Sequence, residues 1–185
     1  FYSSVIERDH TLLPIMFRAY TAAAIFTSIL GVLGYFHAFP GAEIFTLYDR
    51  ARGGFQDPNV FGPFLMLPVA WLTWGILNDR PAKAPMLVLG LLIISLGVFL
   101  SFSRAAWGML ILTSGAMLAL MVLTSRSQSQ RSRIIVIALV TMVLAAALVA
   151  VLLSFDTVSQ LFKQRASFDQ SYDEGRFGRF GRHIL

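Results

Sequence analysis

The residues of this chain that invite a chemical reading are its arginines. Arg104 is the one charged residue in the stretch 84–125, standing between two long apolar runs. An arginine so placed is costly unless it reaches water, an interface or an anion. Arg50 and Arg52 precede a second apolar run, and Arg165, Arg176, Arg179 and Arg182 follow the last one. A guanidinium is a planar fork of donors that stays charged and pairs bidentately with phosphate oxygens. Gathered on one face, several of them would suit a phosphate or a pyrophosphate. Singly, each also fits a solvated loop charge, and Arg104 fits a residue snorkelling at a helical turn.

Around the arginines stand groups able to orient or deprotonate a substrate. In the loop Arg50-Ala51-Arg52-Gly53-Gly54-Phe55-Gln56-Asp57-Pro58-Asn59, Asp57 and Asn59 suit helix caps, with Pro58 at the first helical position, where its missing N–H costs nothing. Asn59 could instead present its amide to a sugar or a phosphate. Asp169, Asp173 and Glu174 are carboxylates near Arg176, able to act as a base or to hold the arginines. His183 lies among arginines, whose charge favours its neutral, basic form. His37 ends an apolar run and reads as an interfacial residue. Neither an HExxH pattern nor a pair of carboxylates on an apolar segment suggests a metal, and with no cysteine there is no thiol chemistry or disulfide.

The elements that must position these groups follow from the uncharged stretches. Of 185 residues, 14% are charged and 56% hydrophobic, whereas an ordinary soluble domain carries about 25% charged residues. A solvated Lys/Arg face is missing, which argues against nucleic acid as a partner despite the net charge of +5. A membrane-crossing helix needs about 20 apolar residues. The expectation is an all-α, polytopic membrane helix bundle of about five spans, near 19–39, 60–78, 84–102, 105–124 and 134–155. The stretch 84–125 would be about 60 Å long as one helix, so it folds into two, with Phe102, Ser103 and Arg104 at the turn. Pro63 and Pro68 bend the second span and leave carbonyls that neighbours must satisfy. Residues 1–155 form the transmembrane region. Residues 156–185 begin an outer loop, where Val158, Leu161, Phe162, Arg165 and Phe168 recur at helical spacing, as in a short interfacial helix. The chain begins at Phe1 and reads as a piece of a longer one.

Five spans alternate the connections between two sides. One side carries seven basic residues (Arg8, Arg18, Arg80, Lys83, Arg126, Arg131, Arg133) and the other eight, but three of those eight belong to short loops. Short loops are what the positive-inside rule counts, so the first side is assigned to the cytoplasm. Arg50, Arg52, Arg104 and the tail then face outward.

Three separated pieces resemble one family: Gly54-Phe55-Gln56-Asp57-Pro58-Asn59 before a span, Ser103-Arg104-Ala105 between two spans, and Asp169, Ser171 and Arg176 after the following span. With the apolar runs between them, from about Tyr20 onward, they are similar to the O-antigen ligase and polysaccharide polymerase family. The resemblance implies an integral membrane glycosyltransferase without metal or other cofactor, its active site on the periplasmic face of the bacterial inner membrane. Such an enzyme moves a glycan from undecaprenyl diphosphate to a lipid A core, or to another carrier-linked repeat in the polymerases. Carried over by motif, Arg104 and Arg176 bind the donor's diphosphate and Asn59 matches the family's Pro-Asn position, with no role assigned by the motif; Arg52, Arg179 and Asn59 are further candidate donor contacts by residue type. Ala105 stands where glycine often follows Ser-Arg. The family's histidine is expected beyond Leu185, and His183 does not match it, so His183, Asp169 and Asp173 remain weak catalytic candidates.

Two other classes stay open. A transporter or flippase of an anionic lipid or solute would use the Pro-bent span and Arg104 as its path, though such proteins often show matched breaks in two halves. A structural membrane subunit accounts for the apolar runs but not for the outward arginines.

Overall fold

The computed structural model describes residues 12–78, 83–125 and 127–166. Seven helices run in order: α1 (Leu12–Tyr35), α2 (Pro58–Phe64), α3 (Met66–Asn78), α4 (Ala84–Leu100), α5 (Arg104–Thr124), α6 (Gln128–Leu153) and α7 (Asp156–Ala166). A 3-10 turn (Ala42–Phe45) and a two-stranded ribbon, β1 (Thr46–Leu47) with β2 (Arg50–Ala51), lie between α1 and α2. The chain is thus an all-α membrane bundle, and it divides into two compact units, 1–150 and 151–185.

Four segments are long and apolar enough to cross a membrane: Leu12–Tyr35, Pro58–Asn78, Arg104–Thr124 and Gln128–Leu153. The remaining apolar helix, α4, has 17 residues, about 25 Å of length against a hydrocarbon core of about 30 Å. Five apolar segments are present, then, one of them at the short limit of a span.

Helix ends differ from those expected, for local reasons. α1 stops at Tyr35 because His37 turns left-handed, with φ 50. The N–H of His37 then reaches the carbonyl of Gly34 at 3.0 Å, and that of Ala38 the carbonyl of Leu33 at 3.0 Å, the double closure of a Schellman cap. α6 begins at Gln128, six residues before the expected 134. Ser127 caps it, its hydroxyl accepting from the N–H of Gln130 at 3.1 Å. In the second unit α7 starts on Asp156, whose charge suits a helix N-terminus.

The Pro-bearing span, expected to bend, is interrupted at a single residue and runs as two helical segments. It breaks at Leu65, between Pro63 and Pro68. Pro68 has no N–H to give the carbonyl of Phe64, four residues earlier. That carbonyl accepts from the Tyr20 hydroxyl at 2.6 Å instead, and the two rings pack at 4.8 Å. A side chain of α1 thereby supplies the hydrogen bond that proline removed, as a span without water requires.

Around this broken span the helices close tightly. α1 lies mainly on α4, while α3 packs on α4 and α5. At Gly97 of α4, an added Cβ would stand 2.9 Å from Ser28 Oγ of α1 and 3.3 Å from the ring of Phe61 of α2. Glycine is what lets three helices converge there, the small-residue packing typical of membrane helices. Ala24, Phe61, Leu65, Val69, Ile94 and Val98 form the fully buried centre. In contrast, Ile111, Leu112 and Leu123 of α5 and Val136, Leu139 and Met142 of α6 are exposed, as lipid-facing side chains are.

Tyr20→Phe should lower the free energy of unfolding in detergent by about 1 kcal/mol. In a Pro68→Ala background, where residue 68 regains an N–H for Phe64, the same change should cost clearly less. Equal costs in the two backgrounds would refute the compensation.

Candidate functional site

The polar residues of interest meet where α1 ends and α2 and α5 begin. Their arrangement starts with the ribbon. Tyr48 (φ 52) and Asp49 (φ 55) form its two-residue turn, and positive φ at both central positions is the geometry that matches the twist of a hairpin. Thr46 pairs with Ala51 and Leu47 with Arg50. The turn thus delivers Arg50 inward, where it is 8% exposed.

Arg50 ties together segments far apart in the chain. Its Nε donates to the carbonyl of Ser101 at 2.7 Å, in the connection between α4 and α5. Its Nη2 donates to Asn59 Oδ1 at 2.9 Å, in the first turn of α2. Asp57 caps that helix, accepting from the N–H of Asn59 at 2.6 Å, with Pro58 at its start. The cap expected of Asp57 and Pro58 is present, while the Asn59 side chain serves Arg50 and not the helix end.

The α4–α5 connection is equally determined. Phe102 is left-handed, with φ 47, and only 2% exposed. Its ring is held by those of Tyr35, Phe99 and Trp107 at centroid distances of 6.0, 6.0 and 6.3 Å. Ser103 caps α5, its hydroxyl accepting from the N–H of Ala106 at 3.4 Å. Arg104 is the first residue of α5; it is exposed and makes no hydrogen bond or ion pair among the described residues. A cation at a helix N-terminus is disfavoured by the helix dipole, so Arg104 is not there to stabilise the helix. One turn below, Gly62 of α2 meets Ala106 of α5 so closely that an added Cβ would collide with the alanine side chain. That contact fixes the start of α2, with Asn59, beside the start of α5, with Arg104.

The remaining expected site residues separate clearly. Arg52, expected at the phosphate, is engaged with its own loop: Nε and Nη2 donate to the carbonyl of Ile44 at 3.2 and 3.0 Å, and Nη1 to that of Gln56 at 3.4 Å. It holds the loop closed. Asp169, Asp173, Arg176, Arg179 and His183 lie outside the described residues, as do Ser171, Glu174 and Phe168. Among the described residues no group of three or more His, Asp or Glu could hold a metal. The residue that organises the site, Arg50, stands in the sequence reading only as one of several arginines suited to a phosphate, and not among the residues matched to the family's motifs. Its segment carried no hairpin signal, because Tyr-Asp lacks the glycine or asparagine usual at such turns.

A cavity of about 340 Å³ lies elsewhere, between α3, α4, α5 and α6, lined by Thr73, Leu91, Ser114, Gly115, Ile137 and Thr141 among others. No charged residue lines it. Its nearest wall residue on α5, Leu110, is six positions from Arg104, about 9 Å along the helix. The polar cluster and the apolar cavity are therefore distinct features.

Arg50→Ala leaves the Ser101 carbonyl and Asn59 Oδ1 without their donor, and should cost about 2 kcal/mol or more of unfolding free energy in detergent. Arg50→Lys, which lacks the fork needed to reach both acceptors, should recover only part of that loss. Wild-type stability of Arg50→Ala would show that Arg50 does not join the three segments. Comparison of the chain with protein-family models, curated proteins and solved structures yields no match.

Proposed function

We propose that this chain belongs to an integral membrane glycosyltransferase of the O-antigen ligase type. The enzyme transfers a glycan from undecaprenyl diphosphate to an acceptor at the periplasmic face of the bacterial inner membrane. The acceptor is a lipid A core; in a polymerase of the same family it is another carrier-linked repeat. The observation that carries this reading is Arg104, exposed at the start of α5 with its donors unfilled among the described residues. It is supported by the company Arg104 keeps. Arg50 ties the first of the two described pieces of the sequence resemblance, Gly54 to Asn59, at Asn59 to Ser101, two residues before the second, Ser103 to Ala105.

In this mechanism Arg104 binds the diphosphate and neutralises the charge that builds on it as the glycosidic bond breaks, the role that the resemblance also implies for Arg176. Pre-organised positive charge aimed at a leaving group is the main catalytic contribution expected of such a site. An acceptor hydroxyl attacks the anomeric carbon and gives its proton to a base, which the resemblance locates beyond Leu185. A transporter reading draws on the broken span beside the α3–α6 cavity. That cavity offers no charged side chain to an anionic cargo, which favours the transferase.

The test is transfer of a labelled glycan from undecaprenyl diphosphate in membranes containing the full-length protein, with and without lipid A core. Arg104→Ala should reduce transfer about a hundredfold or more with insertion intact, and Arg104→Lys less. Undiminished transfer by Arg104→Ala would sink the assignment.

A further inference from the structure

Asn59 is exposed at the mouth of the site, yet its side chain is not free to choose its polarity. Its Oδ1 faces Arg50 Nη2 at 2.9 Å. A guanidinium has donors and no acceptor, so the amide cannot be turned the other way round without setting N–H against N–H. The Nδ2 group is consequently the outward one. The backbone N–H of Asn59 is committed to Asp57 Oδ1 at 2.6 Å, which leaves the two Nδ2 hydrogens as the donors this residue offers beyond its own fold. An amide group that presents only donors seeks an oxygen. Arg104, fixed nearby through the Gly62–Ala106 contact, likewise presents only donors.

We infer that Asn59 is a ligand-contacting residue that donates from Nδ2 to an oxygen of the same anionic head group that Arg104 binds, with Arg50 as the positioning residue that sets its polarity. The inference rests on the phosphate reading of Arg104. It assigns to each residue a different part: Arg104 supplies charge, Asn59 a neutral directed donor, and Arg50 the orientation of that donor. Arg50 need not touch the ligand.

Asn59→Asp separates folding from binding. A carboxylate keeps an oxygen where Oδ1 stood and accepts from Arg50 at least as well, since charge-assisted hydrogen bonds are the stronger kind. It removes the outward donor and replaces it with an acceptor. The probes are undecaprenyl diphosphate and undecaprenol, in detergent with the full-length protein, at about 0.15 M and 1 M salt. Wild type should favour the diphosphate over the alcohol, and Arg104→Ala should lose that preference. Asn59→Asp should melt at or above the wild-type temperature and bind the diphosphate about tenfold more weakly or worse. That ratio should persist at 1 M salt, where a Debye length of about 3 Å screens the longer-range repulsion by the new charge.

A preference lost in Arg104→Ala but intact in Asn59→Asp overturns the inference and leaves the phosphate reading standing. So does a defect in Asn59→Asp that disappears at 1 M salt. A variant that fails to fold, or melts well below wild type, overturns the polarity assignment, which requires the carboxylate to satisfy Arg50. A preference intact in Arg104→Ala overturns the phosphate reading and the inference with it.

Discussion

The guanidinium of Arg50, set between Ser101 and Asn59, is the interaction on which the polar end of this bundle depends. The helices below it are positioned by apolar contact and close packing, which fix their faces but leave the loops undirected. Arg50 adds direction. It reaches from the ribbon to the start of α2 and to the α4–α5 connection, segments separated by 9 and 51 residues in the chain. At these two contacts its partners are neutral oxygens, one of them backbone.

The same end concentrates unfavourable backbone. His37, Tyr48, Asp49 and Phe102 are the described non-glycine residues with positive φ, and each lies in a connection on this side of the bundle. Left-handed backbone costs about 1–2 kcal/mol per such residue and persists where surrounding structure over-determines it. Here the causes are visible. His37 completes the cap of α1, Tyr48 and Asp49 turn the ribbon so that Arg50 points inward, and Phe102 is held in an aromatic cluster. Deeper in the bundle the demand is different. Backbone groups in hydrocarbon have no water to fall back on, and the Tyr20 hydroxyl on the carbonyl of Phe64 meets that demand where Pro68 creates it.

Much of this was legible in the chain. Long uncharged runs gave the helices, and the Phe102–Arg104 interruption gave the connection between α4 and α5, because hydrophobic length is a local property. Asp57 and Pro58 announced the start of α2 for the same reason. The polar residues 128–133 read as a loop but are the first turns of α6, since a membrane helix extends past the hydrocarbon into the interface, where Arg131 and Arg133 are tolerated. The type of turn at Tyr48-Asp49 had no composition signal. The partner of Arg50 at Ser101 had none either, as it depends on where α4 ends relative to the ribbon, a tertiary fact.

Residue type alone treats Arg50, Arg52 and Arg104 as equivalent, and the structure does not. What distinguishes them is how many acceptors the fold places within reach. Arg50 is buried and joined to two other segments; Arg52 is joined to two carbonyls of its own loop; Arg104 begins a helix whose first turn offers N–H groups and no oxygen to accept from it. A helix N-terminus presents N–H donors and a positive dipole end, so it offers a cation no partner. The fold thus places acceptors beside the first two guanidinium groups and, among the described residues, none beside the third.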